Sequence, residues 1–288
     1  MQQRILGRTG LAVSEVGFGG APAGLRNYLG EWEPADPAAS EQIERAIERA
    51  IELGINYFDT APGYGQGLSE AMFGRALRKH RDRVVLATKL KATNEVETRR
   101  SVEQSLDRLQ TDHLDLLQYH GGWYSEADVE NILKPNGVLA GLRALRREGL
   151  VRFIGFTSEG TNGAVSRLIA TDEFDTLMIC YNLIFQHPYD PSRQAGVMYE
   201  AEAHQMGIVV MRPLTSGTFQ KWLRWVDPEI ESRVNWPKAL LSFVLSNPLV
   251  DVAIVGMRTA QEVEANCAIA EDTSARIDVD ELHTRYVR

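Results

Sequence analysis

Four ionisable residues that could together carry out proton transfer end or follow successive apolar segments of the chain: Asp59, Tyr64, Lys89 and His120. A hydride delivered to a carbonyl carbon leaves an alkoxide that needs a proton, and a tyrosine can supply one. The ordinary tyrosine pKa of about 10 is poorly matched to neutral pH, but a neighbouring ammonium lowers it. A carboxylate can hold the ammonium, and a histidine can orient the carbonyl oxygen. Each residue alone is a weak indication, whereas the set predicts carbonyl–alcohol interconversion.

The elements that must position these residues are short β-rich segments that alternate with amphipathic helices. Eight segments are largely apolar and rich in Val, Ile and Leu, which is typical of strands buried on both faces. They cover residues 16–18, 57–59, 84–88, 114–119, 151–156, 176–181, 208–211 and 252–255. Between these segments, apolar residues recur at helical spacing, as they do in residues 43–51. Gly54 follows that segment and is a signal that the helix ends there.

Eight β-then-α units in about 250 residues predict a single (β/α)8 barrel domain over residues 1–288. The alternative is a doubly wound open sheet, but no linker supports dividing the chain. Residues 4–7 and 11–13, joined through Thr9 and Gly10, predict a short β-hairpin before the first barrel strand. Because the carboxyl ends of barrel strands converge at one mouth, the four ionisable residues are expected to meet there.

Three long irregular connections follow predicted strands, at residues 21–37, 182–193 and 212–235. In a barrel they rise from the C-terminal face, where active sites are built. Their aromatic side chains, such as Tyr28 and Trp222, suit a ligand pocket, and tryptophans that merely cap the barrel are an equal alternative.

An aromatic pair, Trp123 and Tyr124, follows His120 directly. Together with Tyr28, Trp123 is predicted to contact the substrate, because an aromatic wall suits a sugar face or an aromatic aldehyde. Packing of this pair against a barrel helix is the alternative.

The order of these motifs resembles the aldo-keto reductase superfamily. The run GINYFDTAPGYG at residues 54–65 is similar to that family's signature, as is the opening LGRTGLAVSEVGFG at residues 6–19. Thr88-Lys89, Tyr119-His120 and a late GMRT segment at residues 256–259 follow in family order. The similarity extends along essentially the whole chain. It implies a (β/α)8 barrel that binds NADPH or NADH without a Rossmann motif.

The resemblance assigns Tyr64 as the proton donor, Lys89 as its pKa-lowering partner, Asp59 as the partner of Lys89, and His120 as the group that orients the carbonyl. The nicotinamide positions match the family less well. Thr157 and Ser158 stand where a Ser-Asn pair is expected, Met178 replaces a glutamine, and Met211 replaces the stacking aromatic. A thioether can pack against the ring, although less specifically than an aromatic face.

Further cofactor contacts are implied along the chain by the same resemblance. Gly20 and Ala21 are expected near the nicotinamide, although an ordinary glycine-rich turn is as good an interpretation. The pyrophosphate is expected to contact Arg212, Leu214 and Gly217, and the adenosine end Gly256, Met257, Arg258, Thr259, Glu262 and Asn266. Arg258 could hold a 2′-phosphate, which favours NADPH modestly over NADH, whereas the Glu262 carboxylate would repel that phosphate. A solvated first helical turn is the alternative for both residues.

Composition excludes several classes of partner. With 31 basic and 39 acidic residues, the net charge of −8 argues against nucleic acid or an anionic membrane surface as the main partner. The start of the sequence lacks the apolar run of a signal peptide, and two cysteines in apolar contexts read as reduced thiols, so a cytoplasmic protein is expected. No metal site is predicted, because the six histidines show no paired spacing.

Two other functions remain open from the sequence. The departures at the nicotinamide positions allow a cofactor-binding redox sensor or regulatory subunit on the same scaffold. A Schiff-base lyase that uses Lys89 is a further alternative, because barrels host such lysines. The expected partner is in each case a small molecule, and a sugar or an aromatic carbonyl fits the predicted pocket; oligomeric state, reaction direction and the individual substrate are not predicted.

Overall fold

A short antiparallel hairpin opens the fold in the computed structural model, which describes residues 1–286. Strand β1 (Gln3–Ile5) pairs with β2 (Ala12–Ser14). The turn between them ends at Gly10, whose φ of +68° is in the left-handed region that favours glycine. Leu6 is fully buried and packs with the side chains inside the barrel, so the hairpin closes the N-terminal end of the barrel.

Within residues 1–286, eight parallel strands form a closed barrel in chain order, and the last pairs with the first. These strands are β3 (Val16–Gly19), β4 (Tyr57–Asp59), β5 (Val85–Leu90), β6 (Leu114–Tyr119), β7 (Val151–Ser158), β8 (Thr176–Cys180), β9 (Gly207–Met211) and β10 (Val252–Gly256). Each begins and ends within two residues of its prediction, and the predicted (β/α)8 architecture is confirmed. The last two positions of the predicted domain, 287 and 288, lie outside the described residues.

The helices surround the barrel and cover the outer face of its strands. In chain order they are α1 (Ala21–Gly24), α2 (Pro37–Glu52), α3 (Leu68–Leu77), α4 (Glu95–Leu109), α5 (Glu126–Leu133), α6 (Val138–Arg147), α7 (Gly163–Ile169), α8 (Val197–Ala203), α9 (Thr218–Val226), α10 (Ile230–Arg233), α11 (Trp236–Leu245), α12 (Ala260–Glu271) and α13 (Val279–Tyr286). Most of the hydrophobic core lies between helices and strands, and a smaller cluster fills the barrel interior.

Local sequence signals set the ends of α2. The Asp36 side chain accepts a hydrogen bond from the backbone N–H of Ala38, and Pro37 occupies the first helical position, where its missing N–H costs nothing. The helix ends at Glu52, and Gly54 follows with a φ of +87°. The glycine predicted to end this helix therefore has the backbone conformation that its role requires.

Three carboxylates tie neighbouring strands together at the N-terminal end of the barrel. Asp115 accepts a hydrogen bond from the N–H of Leu86, and Asp175 accepts one from Ile154. Asp251 makes the same contact with the N–H of Ile208 on β9. Each carboxylate satisfies a backbone donor on the preceding strand. This end of the barrel thus carries stabilising contacts and leaves the opposite end for the long connections.

The long connections lie at the carboxyl end of the strands, as predicted. The one after β3 includes α1, and the one after β9 includes α9 and α10. Cys180 and Cys267 are both buried and free, in agreement with the predicted thiols. Among the described residues, no helix has the length and apolarity to cross a bilayer. The cytoplasmic location inferred from composition stays a prediction.

Candidate active site

A buried ion pair lies at the carboxyl end of β4 and β5. Asp59 is the last residue of β4 and pairs in register with Ala87, two residues before Lys89 on β5. The Lys89 ammonium contacts Oδ1 of Asp59 and donates a second hydrogen bond to the backbone oxygen of Thr60 at 3.0 Å. Both side chains are almost fully buried. Parallel pairing of two adjacent strands is what brings the residues together.

The second carboxylate oxygen of Asp59 is held by Gln118, which lies opposite Lys89 in the pairing of β5 with β6. Nε2 of Gln118 donates to Oδ2 of Asp59 at 3.1 Å, and the glutamine is fully buried. Gln118 is not among the residues predicted from the sequence. The available signal was a polar side chain near the end of an otherwise apolar strand, where an uncompensated amide would be costly.

Tyr64 and His120 complete the cluster at the barrel mouth. Tyr64 follows β4, and His120 follows β6 directly. The two rings are perpendicular, with centres 6.0 Å apart, and the Lys89 nitrogen lies 5.1 Å from the centre of the Tyr64 ring. The structure therefore brings all four predicted ionisable residues to one site.

The charge states of this cluster follow from burial and from Lys89. Burial, with help from Lys89 and Lys91, lowers the pKa of His120 to about 3, so its imidazole is neutral. Burial also lowers the pKa of Lys89, but Asp59 and Tyr64 outweigh it, so the pKa is raised and the side chain stays an ammonium. Burial raises the pKa of Asp59, and Lys89 opposes that rise.

Two opposing effects set the pKa of Tyr64. The Lys89 charge lowers it, in the direction expected from the sequence. Burial of the phenol is the larger effect, so the pKa of Tyr64 lies above its ordinary value. Tyr64 is therefore protonated at neutral pH in this structure, which suits a proton donor.

Close packing fixes the loop that carries Tyr64. The Ser69 hydroxyl donates to the backbone oxygen of Gly20 at 2.9 Å and lies 2.8 Å from the Thr60 hydroxyl, while its backbone N–H donates to the Tyr64 oxygen. A Cβ on Gly20 would lie 2.5 Å from the Ser69 oxygen, so this position excludes larger residues. Ala21 begins α1 immediately beside it.

The hydroxyls of Thr157 and Ser158 are already engaged at the end of β7. Thr157 donates to the backbone oxygen of Gly121 at 2.7 Å, and Ser158 donates to that of Gly160 at 2.8 Å. Both residues are buried. The Thr157 contact joins β7 to the connection that follows His120, and the Ser158 hydroxyl also contacts that connection at the Gly122 backbone oxygen, at 3.2 Å. The two hydroxyls therefore hold the site together rather than standing free at its surface.

The connection after β9 carries the residues predicted to lie along the pyrophosphate. Met211 ends β9 and is only partly buried. Arg212 follows with a φ of +58° and forms a two-point ion pair with Glu159, at 2.8 and 3.2 Å. Leu214 packs against the main core, and Gly217 precedes α9 with a φ of +72°. Across the mouth, the Tyr28 hydroxyl lies 2.9 Å from that of Ser216. This contact links the connection after β3 to the connection after β9.

The residues predicted for the adenosine end lie between β10 and α12. Met257 is fully buried in the core, so only its backbone could contact a ligand. A Cβ on Gly256 would lie 2.4 Å from the Pro22 ring, which explains the glycine. Asn266 donates to the Glu262 backbone oxygen at 2.7 Å. Arg258 and Glu262 both have partners within the protein.

The aromatic pair after His120 divides into two roles. Trp123 is 73% exposed and lies against Gly160, where a Cβ would come within 2.7 Å of the indole. Tyr124 is buried in the core and donates its hydroxyl hydrogen to the Thr157 oxygen at 2.9 Å. Burial excludes Tyr124 from the predicted aromatic wall, and the contact of Trp123 with substrate stays a prediction.

A comparison with known families identifies this architecture. Residues 16–230 match the model of the aldo/keto reductase family. The chain belongs to the aldo/keto reductase family. The match covers the barrel from its first strand to α10 and includes all four clustered residues, in agreement with the resemblance noted in the sequence.

Relatives within the family match nearly end to end. L-galactose dehydrogenase from Arabidopsis thaliana is 29% identical, with 98% of this chain and 92% of the relative covered. D-threo-aldose 1-dehydrogenase from a Pseudomonas species is 26% identical over 91% of this chain and 90% of the relative.

Solved structures show the same fold at lower identity. An aldo-keto reductase from Bacillus halodurans in its holo form superimposes with a TM-score of 0.78 at 24% identity, covering 99% of this chain and 95% of that one. An aldo-keto reductase from Klebsiella pneumoniae in complex with NADP and acetate gives 0.75 at 22% identity, covering 99% and 96%. At 24% and 22% identity, these two structural comparisons establish the barrel fold alone.

Proposed function

We propose that this aldo/keto reductase interconverts an aldehyde or ketone and its alcohol by hydride exchange with a nicotinamide cofactor, with Tyr64 as the proton donor. One observation carries the proposal: Tyr64, His120 and the Asp59–Lys89 ion pair lie together at the mouth of the barrel. Carbonyl reduction requires a proton donor, a cation that stabilises the deprotonated donor, a group that anchors the cation and a neutral group that orients the carbonyl.

The proton transfer follows from the charge states of the cluster. Tyr64 holds a proton at neutral pH, since the ordinary tyrosine pKa of about 10 lies well above neutrality and burial raises the pKa of Tyr64 further. It gives that proton to the carbonyl oxygen as negative charge develops there. Lys89 then stabilises the phenolate. The neutral imidazole of His120 can donate a hydrogen bond to the same oxygen. A nicotinamide held at this mouth would supply the hydride for the carbonyl carbon, and the reverse sequence would oxidise an alcohol.

The residues at the mouth fit a dinucleotide. Arg212 and Arg258 supply positive charge on the connections after β9 and β10, and Nη2 of Arg258 is buried without a hydrogen-bond partner. The partly buried thioether of Met211 offers an apolar surface at the end of β9. Neighbouring structures from Klebsiella pneumoniae hold NADP or NADPH, which supports a nicotinamide cofactor here.

A sugar is the substrate class that we propose. Trp123 offers a flat, exposed apolar face, and such faces pack against sugar rings. Two relatives that match along the chain are named for L-galactose and D-threo-aldose, which supports the same class.

The Schiff-base alternative is poorly supported. A nucleophilic lysine needs access and a lowered pKa, whereas Lys89 is 1% exposed, paired with Asp59 and has a raised pKa. The redox-sensor alternative differs from the proposed enzyme in its expected lack of turnover. One observation favours the sensor: the hydroxyls of Thr157 and Ser158 are already engaged, which leaves fewer contacts for the nicotinamide carboxamide.

The test is steady-state turnover of a panel of aldoses, aromatic aldehydes and simple ketones with NADH and NADPH, and of the matching alcohols and aldoses with NAD⁺ and NADP⁺. We expect turnover with sugars to exceed that with aromatic aldehydes. Cofactor binding without turnover of any substrate would support the sensor instead. Faster turnover of aromatic aldehydes would overturn the sugar assignment but leave the reaction type intact.

A further inference from the structure

The N-terminus of α12 is occupied by a carboxylate of the protein itself, that of Glu262. Glu262 accepts hydrogen bonds from the backbone N–H groups of Arg258, at 2.6 Å, and Thr259, at 3.1 Å. The Thr259 hydroxyl accepts in return from the Glu262 N–H, which completes a capping box. Free N–H groups at a helix start attract phosphates, but here a carboxylate already accepts from the two backbone N–H groups just before the first helical residue.

One edge of the partly buried Arg258 guanidinium is engaged by a different partner. Its Nε donates to the Pro22 backbone oxygen at 3.0 Å, and its carbon lies 4.6 Å from the centre of the Trp32 ring. Trp32 is itself fixed, because its indole N–H donates to the Ala23 oxygen at 2.9 Å. Nη2 is out of contact with solvent, so a phosphate could reach it only after this stack rearranged.

We propose that the adenosine end selects a free ribose 2′-hydroxyl, so that NAD(H) binds more tightly than NADP(H), with Glu262 as the specificity-determining residue. The inference rests on the proposed function. A carboxylate can accept a hydrogen bond from a 2′-hydroxyl and repels a 2′-phosphate. This reverses the modest preference for NADPH that Arg258 suggests in the sequence, because the arginine most suited to a phosphate is held by Pro22 and Trp32.

The unpartnered Nη2 of Arg258 supplies the rival explanation, in which that atom waits for a 2′-phosphate. The two explanations differ in what happens when each charge is removed. If Glu262 sets the preference, neutralising it favours NADPH, and removing the Arg258 charge leaves the ratio of the two affinities unchanged. If Arg258 binds the phosphate, its removal weakens NADPH alone.

The experiment is equilibrium binding of NADH and NADPH to the full-length protein, followed by fluorescence. We expect NADH to bind at least about tenfold more tightly than NADPH to the wild type. Glu262→Gln keeps a capping side chain but removes the charge, and it should tighten NADPH about tenfold while changing NADH by less than about threefold. Glu264→Gln is the matched control, because this exposed carboxylate on the same helix pairs with Arg49 instead.

Each further outcome is decisive. Arg258→Met should leave the NADPH-to-NADH ratio of Kd values unchanged, and a selective loss of NADPH binding would overturn the inference. Tighter binding of NADPH than NADH by the wild type would also overturn it, with the proposed function left standing. An equal effect of Glu262→Gln and Glu264→Gln would show that only net charge matters and would remove Glu262 from its assigned role. Failure of both cofactors to bind would overturn the proposed function and this inference together.

Discussion

The ammonium nitrogen of Lys89 lies 5.1 Å from the centre of the Tyr64 ring. At this separation its charge stabilises a phenolate, and it is the counterweight to burial, which raises the pKa of the same phenol. His120 adds no competing positive charge, because its own pKa of about 3 keeps it neutral. The acidity of Tyr64 is thus controlled mainly by its depth in the site and by one lysine.

Tyr64→Phe removes one hydroxyl and leaves the ring, so folding and cofactor binding should survive. Positioned acid–base groups contribute about 10²–10⁴-fold, and turnover should fall by at least about 10²-fold. Steady-state kinetics measure the loss, with fluorescence titration of the cofactor as the control. Retention of more than about a tenth of wild-type turnover would exclude Tyr64 as the proton donor.

Lys89→Met should lower turnover and move the basic limb of the kcat/KM profile for carbonyl reduction to higher pH. The sign follows from the charge: Lys89 lowers the pKa of Tyr64, so its removal raises that pKa, and the phenol keeps its proton to a higher pH. A shift of at least about one pH unit is expected.

The double variant Tyr64→Phe, Lys89→Met should lose little more turnover than the worse single variant, because the two residues act as one unit. Fully additive losses in this comparison would contradict the proposed coupling.

Gln118→Leu should destabilise the fold by about 1–3 kcal/mol, because Oδ2 of the buried Asp59 loses its hydrogen-bond donor. Denaturant unfolding measures this. Thr176→Val is the matched control: its buried hydroxyl has no hydrogen-bond partner, so its removal should cost far less. Equal losses for the two variants would mean that the Gln118 contact contributes nothing specific.

Met211→Tyr should fold and keep or tighten cofactor binding, because the side chain is only partly buried at the end of β9 and an aromatic ring enlarges the stacking surface. Thermal unfolding and cofactor titration test the two parts of this prediction. A large fall in Tm would instead assign the thioether to the barrel interior, where added volume is destabilising.

Asp251→Asn should stabilise the protein at pH 7–8 by about 1–2 kcal/mol. Burial raises the pKa of Asp251 to about 6, above its unfolded value, so ionisation opposes folding. The penalty appears as pH rises from about 4 to about 6 and persists above that range, while at lower pH the two proteins should converge. Thermal melts at several pH values provide the measurement.

Asp115→Asn offers the contrast to that variant. Asp115 is equally part of the barrel's N-terminal end, but it pairs with Arg81 and Arg152, so removing its charge deprives two arginines of their anionic partner. It should destabilise by about 1–3 kcal/mol at neutral pH, because Arg152 is half exposed and Arg81 keeps its hydrogen bonds to Thr111 and His113. Stabilisation by both substitutions would contradict the distinction between them.

The sequence by itself determined the barrel and which ionisable residues share its mouth. Strands buried on both faces must be continuously apolar, so their positions are visible as short runs of Val, Ile and Leu. Because the carboxyl ends of parallel strands converge, the order of Asp59, Lys89 and His120 along the chain was enough to predict that they lie together.

Only the tertiary structure decided the electrostatics and the partners of individual side chains. The Gln118 amide reaches Asp59 across two strand pairings, and Arg258 reaches Pro22 across 236 positions of sequence, so no local pattern announces either contact. The pKa of Tyr64 depends on the balance of burial against one charge 5.1 Å from its ring. Spacing along a chain specifies which elements form, whereas hydrogen bonds and desolvation depend on distances through space that exist only after the elements have packed.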